Sequence, residues 1–364
     1  MIKRDNHYVP HSYLKRWADD NGMVWTYRTL VGHPNEYPWK PRSPKSIGFH
    51  QHLYTRMDGA GESDSIENWF EAEFETPAAG ALQRVIANEE LRPRDWHVLI
   101  RFLAAQDVRT PARMLERFHD WNQTMPKLIE DTLKESVKKL EAMVRAGRKI
   151  PKTKAVEHEQ LFPAKTFIET IPGEDGGKLH VETTIGRGLW LWSIEQALSK
   201  TLNALSKHQW TILRCPSGLS WLTSDDPVVR LNYQNDNEYD FKGGWNSRGT
   251  EIFMPLSPTH LLYTQIGVRR ALSEVAPLNL AAQLQRFTIE HAHRYVFGQE
   301  ADRQVGLWRP RIVDKATCDA EAAQWREWNT QQSEAESALL INRHLNQSAR
   351  PVCPPTPIHS PGKR

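Results

Sequence analysis

The period of the hydrophobic pattern changes twice along the chain, and this constrains the fold more than any other feature. From Asp64 to His208 apolar residues recur at helical spacing, and between Thr211 and Thr264 they alternate in short blocks bounded by turn residues. From Leu278 the helical spacing returns. Helices, then a strand cluster, then helices predict an α+β fold rather than alternating βαβ units. The expected architecture is mainly helical, with a small antiparallel sheet packed against the helices.

Within that scheme a first helix opens at Asp64, with Glu67 three residues on in a capping-box arrangement, and is interrupted at Pro77. A second runs over 95–121 and bends near Pro111. A third, over 126–145, alternates Lys and Glu and reads as solvated. Residues 147–177 are polar and read as a connector before a helix over 189–208. The blocks 211–215 and 219–223 flank Pro216-Ser217-Gly218 and predict a hairpin, with further strands at 251–255 and 260–264. Helices are expected again over 278–297 and 316–345. Before all of these, residues 1–61 carry Pro34, Pro38, Pro41 and Pro44, which prevent a long helix. Short strands are expected there at 24–27, as part of a hairpin after Asn21-Gly22, and at 51–54. The division is a unit over 1–300 (mixed 1–61, helical 62–208, strands 209–265, helix 278–297), a C-terminal helical extension 301–349 and a disordered Pro-rich tail 350–364.

Charge and composition exclude several classes. With 47 Lys plus Arg against 44 Asp plus Glu in 364 residues, the net charge of +3 is too small for a strongly basic nucleic-acid coat, although local patches remain open. Three widely spaced cysteines, Cys215, Cys318 and Cys353, fit a reducing compartment rather than a disulfide framework, so a cytoplasmic setting is expected. No apolar run approaches the roughly 20 residues that span a bilayer. The 14 tryptophans sit mostly beside other apolar residues, which favours core packing over base stacking. GxGxxG, Walker, GxSxG and HExxH motifs are absent from the sequence.

Three segments carry candidate chemistry. In Asn6-His7-Tyr8-Val9-Pro10-His11, Pro10 sets a helix start, so Tyr13, Leu14 and Trp17 form its apolar face. His7 can serve as an acid or base, share a metal with His11, or make a structural hydrogen bond. In Gln106-Asp107-Val108-Arg109-Thr110-Pro111, Gln106 and Arg109 prolong the stripe begun by Leu99 and Phe102 and continued to Arg113. Polar groups so placed need partners or a ligand: Arg109 binds an anion or pairs with a buried carboxylate. In Thr223-Ser224-Asp225-Asp226-Pro227, strand alternation puts the two acids on opposite faces, one for a turn and one for a site.

These motifs, in order with Pro255-Leu256-Ser257-Pro258 and Arg294-Tyr295-Val296, resemble domain-of-unknown-function family 4238 over roughly residues 5–300. The resemblance implies no activity. In the family pattern the position of His11 is commonly Gln and that of Asp226 often Asn, which points to His7 and Asp225 as the better candidates.

The leading expectation is a hydrolytic, nuclease-like enzyme acting on phosphodiester bonds. His7 and Asp225 are its catalytic residues, and Asn6, Tyr8, Gln106 and Arg109 bind substrate. Asp225 orients His7 or holds a divalent ion; no cofactor is indicated beyond such an ion. The partner is then a nucleic acid or another phosphate-containing ligand. The rival is a non-catalytic nucleic-acid, ligand or protein-binding module, or a network in which the same residues only hold the N-terminal segment in place.

Overall fold

The computed structural model describes residues 3–58, 61–149, 162–170, 177–268 and 274–348. The expected Pro-rich tail, Cys353 and part of the expected connector lie outside them. The connector's described part forms a strand pair instead, Ala164–Thr170 with Gly177–Thr183, and the second strand begins where the expected connector ends.

The helical layer is built from segments that begin and end differently from the sequence expectation. Ser65–Phe70 runs into one π turn, Glu71–Glu75, and on into Thr76–Ile86. Pro77 lies just after the π turn inside this continuous helical run; it lacks an N–H to give and crowds the preceding turn, so it coincides with a π irregularity rather than a break. Asp64 does not cap: its carboxylate instead accepts the Lys3 N–H and the Asn68 amide. Glu67 is thereby free to reach elsewhere. The expected helix over 95–121 is two helices, Pro93–Val108 and Pro111–Arg145, because Thr110 leaves the helical conformation and its hydroxyl accepts the Arg113 N–H. Pro126 lies inside the second. Arg187–Gln196 continues through a π turn and a 3-10 turn to Lys207.

The strand content overturns the expectation of a mainly helical fold with one small sheet. The described residues form six sheets, the largest of five antiparallel strands in the order Thr211–Arg214, His260–Gln265, Glu251–Ser257, Val229–Asn235, Glu238–Asp240. The proposed 211–223 hairpin does not form. Thr211–Arg214 pairs with His260–Gln265, while Thr223–Ser224 crosses to a second sheet with Tyr295–Gly298, Val24–Arg28 and Trp39–Arg42. The helix expected over 278–297 therefore stops at His291 and gives way to a strand. Val24–Arg28 does form a strand, yet its partners are Trp39–Arg42 and Tyr295–Gly298 rather than residues before Asn21. The second extended piece is Phe49–Gln51, paired with Asp5–His7. The fold is α+β, and its described residues bury three apolar clusters, of which one is shared by the helices, the N-terminal segment and part of the sheets.

That core runs from Tyr8 to Trp328 and includes Trp17, Phe70, Leu99, Trp190 and Met254. The C-terminal helix Lys315–Ser348 joins it through Trp328 and through Trp325, whose ring stacks on His50 at 3.7 Å. Trp17, Trp190, Trp210, Trp221 and Trp328 are buried, as core packing requires. Among the described residues no helix is long and apolar enough to cross a membrane.

Candidate functional site

The N-terminal segment is nailed to the core before it presents any chemistry. Tyr13 donates to the Pro255 carbonyl at 2.6 Å and bonds the Thr223 hydroxyl at 2.7 Å, and Trp17 donates to the Trp221 carbonyl. Asn6 is fully buried, accepting the Tyr54 N–H at 3.0 Å and donating to the Lys3 carbonyl. Its amide is thus engaged in locking two loops together. Tyr8 is buried with its ring stacked on His50, and its carbonyl accepts both Gln106 Nε2 and Arg109 Nε, each at 3.0 Å. Asn6, Tyr8 and Gln106 therefore position the segment, and the structure brings them together with His7 and Arg109.

Arg109 forms the floor of the cluster. It is buried beneath the Phe70 ring at 5.0 Å, and its Nη1 donates to Glu75 at 2.8 Å. Its backbone carbonyl is held by the Tyr54 hydroxyl at 2.6 Å. Its Nη2 has no hydrogen-bond partner among the described residues. Glu67 stands beside it, within electrostatic reach of Arg109 and of the His7 backbone, and its buried Oε2 has no hydrogen-bond partner among the described residues. Glu67 and Glu75 are eight residues apart, which in a regular helix leaves them about 80° out of phase. The intervening π turn absorbs one extra residue and cuts that offset to about 20°, so both carboxylates address Arg109.

His7 completes the group. The Lys45 backbone acts on its ring against the effect of burial, and its buried Nε2 has no hydrogen-bond partner among the described residues. Burial lowers the His7 pKa, and nearby Arg109 lowers it further, so the ring is neutral near pH 7. Burial pushes the Glu67 carboxyl up to about 7, with Glu75 adding a like charge against the pull of Arg109. At the rim the exposed Lys15 and Lys45, with His7, reinforce the burial that lowers His11. His7 and His11 have ring centroids 6.4 Å apart. Among the described residues no group of three or more His, Cys, Asp and Glu side chains is placed to hold a metal ion.

Asp225 is not part of this group. Its two oxygens accept the His293 and Arg294 N–H groups at 2.9 and 2.7 Å, and its own N–H donates to Tyr295, so it clamps the turn between Leu278–His291 and Tyr295–Gly298. The expected role of orienting His7 fails because both adjacent acids are drawn into packing the helix end. Asp226 accepts from Thr110 at 2.9 Å and sits 3.5 Å from Arg113 and 3.4 Å from His291. The stripe that was to include Arg113 breaks at Thr110, sending Arg113 to Asp107, Glu116 and Asp226 instead.

The sequence pattern does not reveal Glu67 and Glu75: Glu67 reads as part of a capping box, and the π turn that aligns it with Glu75 has no periodic signature.

The family model described as Protein of unknown function (DUF4238) matches residues 5–302. No curated protein matches the chain. No solved structure matches it either.

Proposed function

Because the chain belongs to the DUF4238 family, whose description assigns no activity, its function rests on the site, and we propose that it is a phosphodiester hydrolase. One observation carries this reading: among the described residues His7 Nε2, Glu67 Oε2 and Arg109 Nη2, from neighbouring side chains, are buried without hydrogen-bond partners. An unpaired buried polar group costs about 1–3 kcal/mol, and a ligand or reacting atom that supplies the missing bonds removes that cost.

The chemistry divides by protonation state. Neutral His7 accepts the proton of the attacking water through Nε2 as its oxygen bonds to phosphorus. Glu67, with its pKa near 7, donates a proton to the leaving oxygen as the phosphorus–oxygen bond breaks. Arg109 Nη2 binds a non-bridging oxygen on which charge builds. Lys15 and Lys45 draw the phosphate to the rim and favour a nucleic acid or another phosphate ester as partner. The free thiols of Cys215 and Cys318 accord with a reducing, cytoplasmic setting.

The test is the pH dependence of cleavage of fluorescent RNA and DNA oligonucleotides, with magnesium, with manganese and with chelator. The expected profile is a bell. Its acid limb marks protonation of His7 below 6.5, and its alkaline limb near 7 marks loss of the Glu67 proton. Glu67→Gln removes the alkaline limb, and His7→Gln lowers the rate about 10²–10⁴-fold. Failure of the wild type to cleave either substrate under all three conditions overturns the proposal.

A further inference from the structure

We propose that a second site, the cavity of about 860 Å³ on the other side of the Gln106–Arg109 segment, binds a single-chain anionic amphiphile. The cavity is bounded by the long helix Pro111–Arg145, by Arg187–Gln196 and by the Ala164–Thr170 strand pair, and its volume lies in the range of small-ligand sites.

Its lining is graded in polarity. Along the long helix Trp121, Met125 and Leu128 face it, opposite Trp192 and Phe162, which makes an apolar strip. From Arg117 to Leu128 the helix rises about 16 Å at 1.5 Å per residue, enough to lie along an extended hydrocarbon tail. At the other end the charges gather. Arg113 and Arg230 are neutralised by Asp107 and Glu116, at 3.0–3.4 Å. Two further lining cations, Arg117 and Lys200, are exposed and make no ion pair among the described residues. The lining thus carries two positive charges that no acid offsets, beside an apolar strip. A tail without a charged head leaves those cations unused, and a compact anion leaves the strip wet. An amphiphile with one anionic head satisfies both.

Carboxylate and phosphate heads share this chemistry, and the experiment separates them. The full chain is titrated below the micelle threshold with hexadecanoate, hexadecyl phosphate and neutral hexadecanol, following tryptophan fluorescence and the melting temperature. Both anions are expected to saturate and raise the melting temperature, with hexadecanol at least tenfold weaker; the tighter anion names the head. The surface double variant Arg117→Glu with Lys200→Glu is expected to weaken both anions at least tenfold and leave hexadecanol unchanged. Ala197→Trp, which fills the cavity from its lining, is expected to abolish binding of all three. Equal affinity for hexadecanol, an unaffected double variant, or no saturable binding overturns the proposal.

Discussion

Two buried arginines show how differently one side chain is used in this fold. Arg187 has all five donors satisfied: Nε and Nη2 fork onto Glu336 at 2.9 and 3.0 Å, and His52, Asn329 and Ser333 take the rest. Arg109 is equally buried, yet among the described residues neither its Nη2 nor Oε2 of Glu67 beside it has a hydrogen-bond partner. A guanidinium that serves only to hold elements together is completed by them, as Arg187 is by Lys315–Ser348. One that is left incomplete next to an unpaired histidine nitrogen and a carboxyl titrating near 7 has capacity kept for something else.

The comparison breaks most severely at Arg187. Arg187→Ala strands the Glu336 carboxylate and is expected to cost about 3–5 kcal/mol, read as a large fall in melting temperature. Its partners Asn329, Ser333 and Glu336 lie beyond residue 302, where the family match ends, so removal of the C-terminal helix should destabilise the chain to a similar extent. Arg109→Gln should cost less, about 1–2 kcal/mol, because half-buried Glu75 is rehydrated more easily than Glu336. A loss equal to that of Arg187→Ala would erase the distinction and mark Arg109 as structural.

The smallest effect has the opposite sign. In the folded state Glu67 holds its proton up to about 7, against 4.5 in the unfolded chain. The stability it contributes is therefore complete below about pH 4.5 and lost as pH rises through about 7. Glu67→Gln removes that loss. It should raise stability at pH 8 by about 1 kcal/mol relative to the wild type and have little effect at pH 4, as thermal melts at the two pH values would show. The buried histidines run the other way. His291, lowered to about 3, and His50 and His293, lowered to about 4, give stability that is complete above 6.5 and lost as pH falls through those values.

The sequence made part of this arrangement legible. Polar residues prolonging an apolar helical stripe marked Gln106 and Arg109, and the histidine before a proline-started helix marked His7; the structure gathers all three around the Tyr8 carbonyl and the Glu67 carboxylate. The long helices were visible through their period, although their ends were not, since Thr110 as a cap and Pro126 within a helix are decided by packing. Strand pairing was hidden because the four-stranded sheet joins Val24–Arg28 to Tyr295–Gly298, about three-quarters of the chain's length away. Asp225 misled for a related reason: an acid at a strand end looks the same whether it faces a ligand or clamps a distant turn. Glu67 and Glu75 were invisible because only a π turn puts them in phase.

The most direct test of the central claim, that the His7, Glu67 and Arg109 cluster is a working site rather than an unfinished ion-pair network, is phosphodiester cleavage and melting measured on the same Glu67→Gln sample at pH 7. The account predicts cleavage reduced about 10²-fold or more in a protein that melts at or above the wild-type temperature. Full cleavage, or a sharp fall in melting temperature, would contradict it.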